Sequence, residues 1–151
     1  MTTPSRPHGL GDSEIPALLA RTKRIAVLGI KTEAQRGQPA FDVPRYLVEA
    51  GFEIVPVPVY YPDVTVILGK PVFRRLVDVP GPIDLVDVFR KSADLESHLE
   101  DLLAKRPSAV WLQAGIRDDA FADRLTAAGI DVVQDRCLMV EHRNWLGHPS
   151  P

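Results

Sequence analysis

The chain has 151 residues, 45% of them hydrophobic, with 18 basic and 20 acidic side chains and a net charge of -2. This length predicts a single globular domain with one core, because two ordinary domains would need a longer chain. The balanced charge provides no basic excess for holding a nucleic-acid backbone, and no apolar run is long enough to cross a bilayer. We therefore expect neither nucleic acid nor a membrane as a partner.

The cysteine and histidine content narrows the expected location and chemistry. Cys137 is the single cysteine, so no internal disulfide can form, and four separated histidines add no zinc-binding spacing. No metal site is predicted. The N-terminus lacks the apolar core of a secretory signal, and an unpaired cysteine is typical of a reducing compartment. A cytoplasmic location is expected.

The composition of the two ends predicts the domain boundaries. Residues 1–11 are rich in proline, glycine and polar groups and are expected to form a flexible arm, with a short tail over residues 148–151. The single domain is predicted over residues 12–147. Ser13 can cap a short first helix that carries Ile15, Leu18 and Leu19 on one side and packs on the edge of the core.

Five short apolar runs rich in β-branched residues follow, and their composition predicts β-strands. They are Arg24–Leu28, Glu53–Val57, Ile83–Phe89, Ala109–Gln113 and Ile130–Val133. A short edge strand is predicted at residues 69–73, followed by one or two helical turns over residues 74–79.

Helical patterns lie between these strands, each preceded by a residue that can cap a helix. Asp42, Ser92 and Asp118 are the predicted caps. The alternation predicts an α/β fold, with a doubly wound, mostly parallel sheet of five or six strands and helices on both faces. Ligands in such sheets bind beyond the carboxyl ends of the strands, where the strand order reverses.

The loop after the first strand lies where such a fold places its ligand. After Gly29 the next glycine is Gly37, so the three-glycine dinucleotide fingerprint is absent, and no Gly-Lys-Ser or Gly-Lys-Thr loop occurs. Lys31 and Arg36 give the loop two cations, and the N-terminus of the following helix favours an anion. A solvated loop with two surface cations is the alternative interpretation.

No catalytic motif stands out, so the favoured prediction is a protein without chemistry of its own, and an enzyme remains an open alternative. There is no Gly-x-Ser-x-Gly elbow and no distinct carboxylate pair. His98 lies among the leucines of a predicted helix, which favours packing at the helix boundary over catalysis. Cys137 precedes an apolar run, which favours a small core residue. A reactive thiol at a helix N-terminus is the other interpretation of Cys137.

Three segments carry a resemblance to a known family through their order and spacing. They are Asp87–Arg90, Trp111–Ile116 and Asp135–His142. They resemble the small stand-alone CoA-binding proteins of bacteria and archaea, relatives of the CoA-binding domain of the succinyl-CoA synthetase alpha subunit. The similarity runs from about Ile15 to Trp145. It implies a Rossmann-like fold that binds coenzyme A or an acyl-CoA.

The resemblance also implies where coenzyme A lies. The loop after the first strand is near the phosphates, the end of the second strand is near the adenosine part, and the loop after Asp87–Arg90 closes over the nucleotide. Gly29 allows a close backbone approach, and Arg90 offers a cation to phosphate. The implied cofactor-binding residues are Gly29, Ile30, Lys31, Arg36, Ala40, Pro58, Phe89, Arg90, Gln113, Gly115 and Ile116.

The chain also departs from the family's usual pattern. Gly29-Ile30-Lys31 replaces Gly-x-Ser after the first strand, Gln38-Pro39-Ala40 replaces Arg-Pro-Ser, and Val57-Pro58-Val59 replaces Val-Asn-Pro at the end of the second strand. These replacements remove two serine hydroxyls and an asparagine amide that can bond a ligand.

The apolar segment 57–68 gives an alternative prediction. It contains Tyr60 and Tyr61, and tyrosines are enriched at protein interfaces. The alternative is a protein-interaction scaffold whose crevice rim, at Tyr60, Tyr61 and Val64, contacts a partner, with CoA binding weakened or lost. The simpler interpretation packs the apolar side chains against the core, namely Val64, Val66, Ile67 and Leu68.

Overall fold

The computed structural model describes residues 8–147. In chain order, its strands are β1 (Arg24–Leu28), β2 (Glu53–Val57), β3 (Val66–Ile67), β4 (Lys70–Pro71), β5 (Leu85–Val88), β6 (Ala109–Leu112) and β7 (Asp131–Val133). Five of them form a parallel sheet in the order β2-β1-β5-β6-β7. The chain passes from β1 to the edge strand β2 and then returns to β5, on the other side of β1. Strands β6 and β7 follow outward on that side, so the strand order reverses between β1 and β5.

Helices cover both faces of this sheet. They are α1 (Ile15–Arg21), α2 (Pro39–Glu49), α3 (Glu96–Lys105), α4 (Asp119–Ala127) and α5 (Leu138–Gly147). Adjacent strand residues point to opposite faces, so Val86 packs with side chains of α3 and α4, whereas Leu85 packs with those of α1, α2 and α5. The prediction of a doubly wound, Rossmann-like α/β fold is confirmed, with five strands in the main sheet.

The predicted edge strand at residues 69–73 is not part of that sheet. Lys70–Pro71 pairs with Val66–Ile67 in an antiparallel hairpin, closed by Leu68 and Gly69 at positive φ values of 53° and 73°. Two central residues at positive φ are the geometry of a tight hairpin turn. The hairpin is joined to β2 by a backbone hydrogen bond, from the Phe73 N–H to the Pro56 carbonyl at 3.0 Å. The helical turn predicted next is a 3-10 turn at Leu76–Asp78.

Among the predicted capping residues, only Asp118 lies directly before its helix. Asp118 caps α4 as predicted, accepting from the Phe121 N–H at 3.0 Å. Asp42 does not cap α2, which begins at Pro39 because proline at the first helical position is already set to the helical φ. The Asp42 carboxylate instead accepts from the Gly37 N–H at 3.0 Å.

Ser13 and Ser92 are also wrong as predicted caps. Each lies within a 3-10 turn, Asp12–Glu14 before α1 and Ser92–Asp94 before α3. The Ser92 hydroxyl instead accepts from the Arg117 N–H at 3.1 Å. The apolar side of α1 is as predicted, since Ile15, Leu18 and Leu19 are buried.

The edge strand β7 is covered by residues that the sequence analysis placed in the flexible arm. The Leu10 N–H donates to the Val132 carbonyl at 2.7 Å, and the His8 carbonyl accepts from the Gln134 amide at 3.0 Å. Residues 1–7 and 148–151, which make up the rest of the predicted arm and the tail, lie outside the described residues. Within residues 8–147, every helix is too short or too polar to cross a membrane.

Candidate functional site

A cleft of about 570 Å³ lies at the carboxyl ends of β1, β5 and β6, where the strand order reverses. Most of the residues that the family resemblance implied line it: Lys31, Ala40, Phe89, Arg90, Gln113, Gly115 and Ile116. The other lining residues, which are not among the implied cofactor-binding residues, are Gln38, Pro39, Tyr60, Lys91, Ser92, Asp94, Ala114 and Cys137. Segments that follow all five strands of the main sheet thus meet in one concave surface.

The remaining implied residues lie outside this cleft. Ile30 is 1% exposed and belongs to the core. Arg36 is exposed on the loop and does not line the cleft. Pro58 lines a second, smaller cavity of about 280 Å³. Ligand contacts of Ile30, Arg36 and Pro58 stay predictions.

Gly29 shapes the floor of the cleft rather than its surface. Its φ is +87°, and a Cβ at this position would lie 2.3 Å from the Phe89 carbonyl oxygen. The absence of a side chain at Gly29 therefore allows the backbone of Phe89 to approach it closely. The Phe89 N–H in turn donates to the Leu28 carbonyl at 2.9 Å. This packing holds the start of the β1 loop against the end of β5.

The loop after β1 brings a cation to the N-terminus of α2. The Lys31 N–H donates to the Ala40 carbonyl at 3.0 Å, and the Lys31 ammonium is hydrogen-bonded to the Gln38 side chain. The Gln38 carbonyl already accepts from the N–H groups of Phe41 and Asp42, each at 2.9 Å. The Ala40 N–H makes no hydrogen bond within residues 8–147. An ammonium and a free helix N-terminal amide together favour an anion here.

Arg90 is a second cation of the cleft, and side chains from distant segments hold it. Its side chain is 13% exposed. Its Nε donates to Nε2 of His98 at 3.1 Å, and its Nη1 donates to the Tyr60 hydroxyl at 3.2 Å. The guanidinium also lies over the Tyr60 ring, 5.5 Å from its centroid. The Asp94 carboxylate is 3.9 Å from Nη2.

The electrostatics of His98 are consistent with this contact. Burial and, next in size, the charge of Arg90 lower the pKa of His98 from its ordinary value. A guanidinium only donates hydrogen bonds, so the Nε2 atom that faces Arg90 must be unprotonated. The helix-boundary packing predicted for His98 is correct in part, since the side chain is half-buried but also supports a residue of the cleft.

The loop after β6 provides an amide donor to the cleft. Gln113 is 4% exposed, and its side-chain oxygen accepts from the Leu138 N–H at 3.0 Å. Its NH₂ group makes no hydrogen bond to any residue of 8–147. The Gly115 N–H is used internally, because it donates to the Asp135 carboxylate at 2.7 Å. The side chain of Gln113, and not the backbone of Gly115, therefore carries the open donor.

Cys137 lies just before α5, is half-buried, and packs against the core cluster beside α2 and α5. It also lines the cleft. The core interpretation from the sequence is therefore correct only in part. Its position in the third family segment was the available signal that it lies near the cleft.

Asp87 lies below the cleft and has an unusual environment. It is fully buried on β5, paired in register with Val27 and Trp111, and neither carboxylate oxygen has a hydrogen-bond partner within the described residues. Burial raises the pKa of Asp87 well above its ordinary value. The side chain is therefore an uncharged acid under conditions in which an exposed aspartate is ionised.

The apolar segment 57–68 mostly packs inward. Ile67 is buried, and Val64 and Leu68 are half-buried against the same core cluster, so the packing interpretation is confirmed for these three. It is wrong for Val66, which is 53% exposed. Tyr60 is 61% exposed but turned toward Arg90. A protein-interaction surface at this rim stays a prediction.

Comparison with known proteins identifies relatives along almost the whole chain. Residues 23–143 match the model of a protein family described as CoA binding domain. The uncharacterized protein YneT of Bacillus subtilis (strain 168) is 34% identical over 130 residues, which cover 86% of this chain and 93% of YneT.

Two solved structures are similar in both sequence and fold. Cell-free ID.343 from Thermus thermophilus is 44% identical, with a TM-score of 0.80 over 89% of this chain and 98% of its own. A hypothetical protein from Pyrococcus horikoshii OT3 is 31% identical, with a TM-score of 0.80 over 97% of this chain and 100% of its own. The family match spans well over half of the chain, and the protein therefore belongs to the CoA-binding domain family.

Proposed function

We propose that this protein binds coenzyme A or an acyl-CoA in the cleft, as a small cytoplasmic module that carries out no reaction of its own. The observation that carries the proposal is the cleft itself. It lies where the strand order reverses, its volume of about 570 Å³ is within the range of small-molecule sites, and the chain that forms it belongs to the CoA-binding domain family.

The chemistry of the lining supports this ligand. Coenzyme A carries phosphate groups at one end and a pantetheine arm with two amides at the other. Lys31, the Ala40 N–H and Arg90 are donors suited to phosphate oxygens. The NH₂ group of Gln113 suits an amide carbonyl of the arm. Phe89 and Ile116 add apolar surface for its methylene groups. In this proposal Lys31 takes over electrostatically for the hydroxyl that the family pattern usually has.

A thermal melt with added coenzyme A tests the proposal. A ligand at about 100 times its dissociation constant that binds only the folded state stabilises it by about 2.7 kcal/mol. For a domain of this size the melting temperature should then rise by roughly 5–10 °C. No rise with millimolar CoA or acetyl-CoA would contradict the proposal. Release of free CoA from acetyl-CoA during the experiment would contradict the non-catalytic part.

A matched pair of variants tests the site. Lys31→Ala removes a cation that lines the cleft, whereas Arg36→Ala removes a cation from the same loop that does not line it. Hydrogen bonds to charged groups contribute about 1.5–3 kcal/mol, so Lys31→Ala should weaken CoA binding by about 10- to 100-fold. Arg36→Ala should leave the dissociation constant within about twofold, since an exposed distant charge is largely screened. Equal effects of the two variants would place the ligand elsewhere.

A further inference from the structure

The orientation of Arg90 is set before any ligand binds. Its Nε and Nη1 atoms are engaged by His98 and Tyr60, at 3.1 and 3.2 Å. A guanidinium has five N–H donors in a fixed planar fork, so these two bonds determine its plane and leave the other donors for a ligand. Arg90 lines the cleft, and its side chain is only 13% exposed, so the guanidinium is partly shielded from bulk water.

His98 is itself anchored by the fold. It lies on α3 between Leu95 and Leu99, both of which are buried in the core. Its ring presents Nε2 to Arg90 and borders the second cavity with Arg75 and Asp101. The charged groups around the ring are thus Arg90 and Asp94 toward the cleft, and Asp101 with its ion-paired Arg75 toward the second cavity. Helix packing fixes the acceptor that Arg90 uses.

The Asp94 carboxylate competes with His98 for the Arg90 guanidinium, so the hydrogen bond to His98 affects the orientation of Arg90. The Asp94 carboxylate lies 3.9 Å from Nη2, too long for a hydrogen bond but close enough to attract the guanidinium. Without the bond to His98, Arg90 keeps its contact with the exposed Tyr60 but loses its anchor on α3, which favours a turn toward Asp94 and away from an anion in the cleft. His98 does not line the cleft, so its effect on a ligand has to pass through Arg90.

We propose that His98 is a positioning residue that, through the Nε bond of Arg90, holds the guanidinium in the orientation that binds a phosphate group in the cleft. The inference rests on the proposed function for the identity of the ligand. The hydrogen bond from Arg90 to His98, on which the inference is based, is present in the protein without a ligand.

A double-mutant cycle with coenzyme A as the probe tests this role. His98→Leu removes the acceptor, and it should weaken CoA binding by about tenfold, the lower end of the effect of one hydrogen bond to a charged group, because His98 acts on the ligand only through Arg90. In an Arg90→Ala background, His98→Leu should change the dissociation constant by less than about twofold, because the side chain through which it acts is gone. His98→Gln, whose amide oxygen can take the place of Nε2, should retain affinity close to that of the unaltered protein.

The outcomes separate this inference from the proposed function. Equal weakening by His98→Leu in both backgrounds, or no weakening in either, would overturn the positioning role while leaving CoA binding intact. Failure of His98→Gln to restore affinity, with a melting temperature like that of the unaltered protein, would also overturn it. Absence of CoA binding by the unaltered protein would overturn the proposed function and, with it, the ligand part of the inference.

Discussion

Replacement of Asp87 by asparagine should change how stability depends on pH. The carboxyl is fully buried without a hydrogen-bond partner in the described residues, and burial raises its pKa. In the unfolded chain the same group ionises near its ordinary value of 3.8. The folded state therefore holds a proton that the unfolded state releases. As pH rises above 3.8, the free energy of unfolding falls because of Asp87, and this fall ends at the folded-state pKa.

The size of this effect follows from proton linkage. Each pH unit over which Asp87 is protonated when folded and ionised when unfolded costs about 1.4 kcal/mol. Asparagine has nearly the same shape and no charge at any pH, so Asp87→Asn escapes this cost. The free energy of unfolding of the variant, minus that of the unaltered protein, should rise from pH 5 by up to about 1.4 kcal/mol per unit. In a thermal melt this corresponds to roughly 3–6 °C per pH unit.

Urea denaturation followed by circular dichroism at pH 5, 6 and 7 measures this difference. Asp63→Asn is a matched control, because Asp63 is exposed and its replacement should leave the pH dependence unchanged. A difference between Asp87→Asn and the unaltered protein that stays constant or falls with rising pH would refute the reasoning. It would mean that the buried carboxyl is ionised and paired in the folded protein.

Two further predictions concern the backbone and the charge of the cleft. Gly29→Ala should destabilise the fold by more than about 3 kcal/mol in urea denaturation, because its Cβ would meet the Phe89 carbonyl at 2.3 Å. Gly115 is the control, since it has a similar φ of +86° but no neighbouring atom of residues 8–147 at the Cβ position. Gly115→Ala should therefore destabilise the fold by only about 1–2 kcal/mol. Equal costs would refute the role assigned to the Phe89 contact. In an NMR titration the pKa of His98 should lie below its ordinary value and rise in Arg90→Ala, and an unchanged value in that variant would contradict the contact.

The fold followed from the sequence because the strands of the five-stranded sheet are buried on both faces. Arg24–Leu28 and Glu53–Val57 are short, apolar and rich in β-branched residues, and the observed strands have the predicted bounds. The first residue of a helix depends on competition between several nearby residues that can each begin it. Asp42 and Ser92 are both good capping residues, but Pro39 started α2 earlier and a 3-10 turn separated Ser92 from α3.

The candidate site followed from the sequence only in outline. The family resemblance implied that Lys31 and Arg90 lie near the phosphates of the ligand, and both residues line the cleft. The bonds of Arg90 to Tyr60 and His98 depend on side-chain packing between separate segments, which no local pattern encodes. The packing of Gly29 against the Phe89 carbonyl has the same origin. These contacts became visible only in the folded chain.

An NMR titration of the isotopically labelled protein with coenzyme A tests the central claim most directly, because it reports both binding and its place. We predict saturable shifts of the backbone amides of Lys31, Ala40 and Gln113 at one ligand per chain, with the exposed face of α4 unchanged. The absence of shifts at millimolar CoA, or shifts confined to residues away from the cleft, would contradict the account.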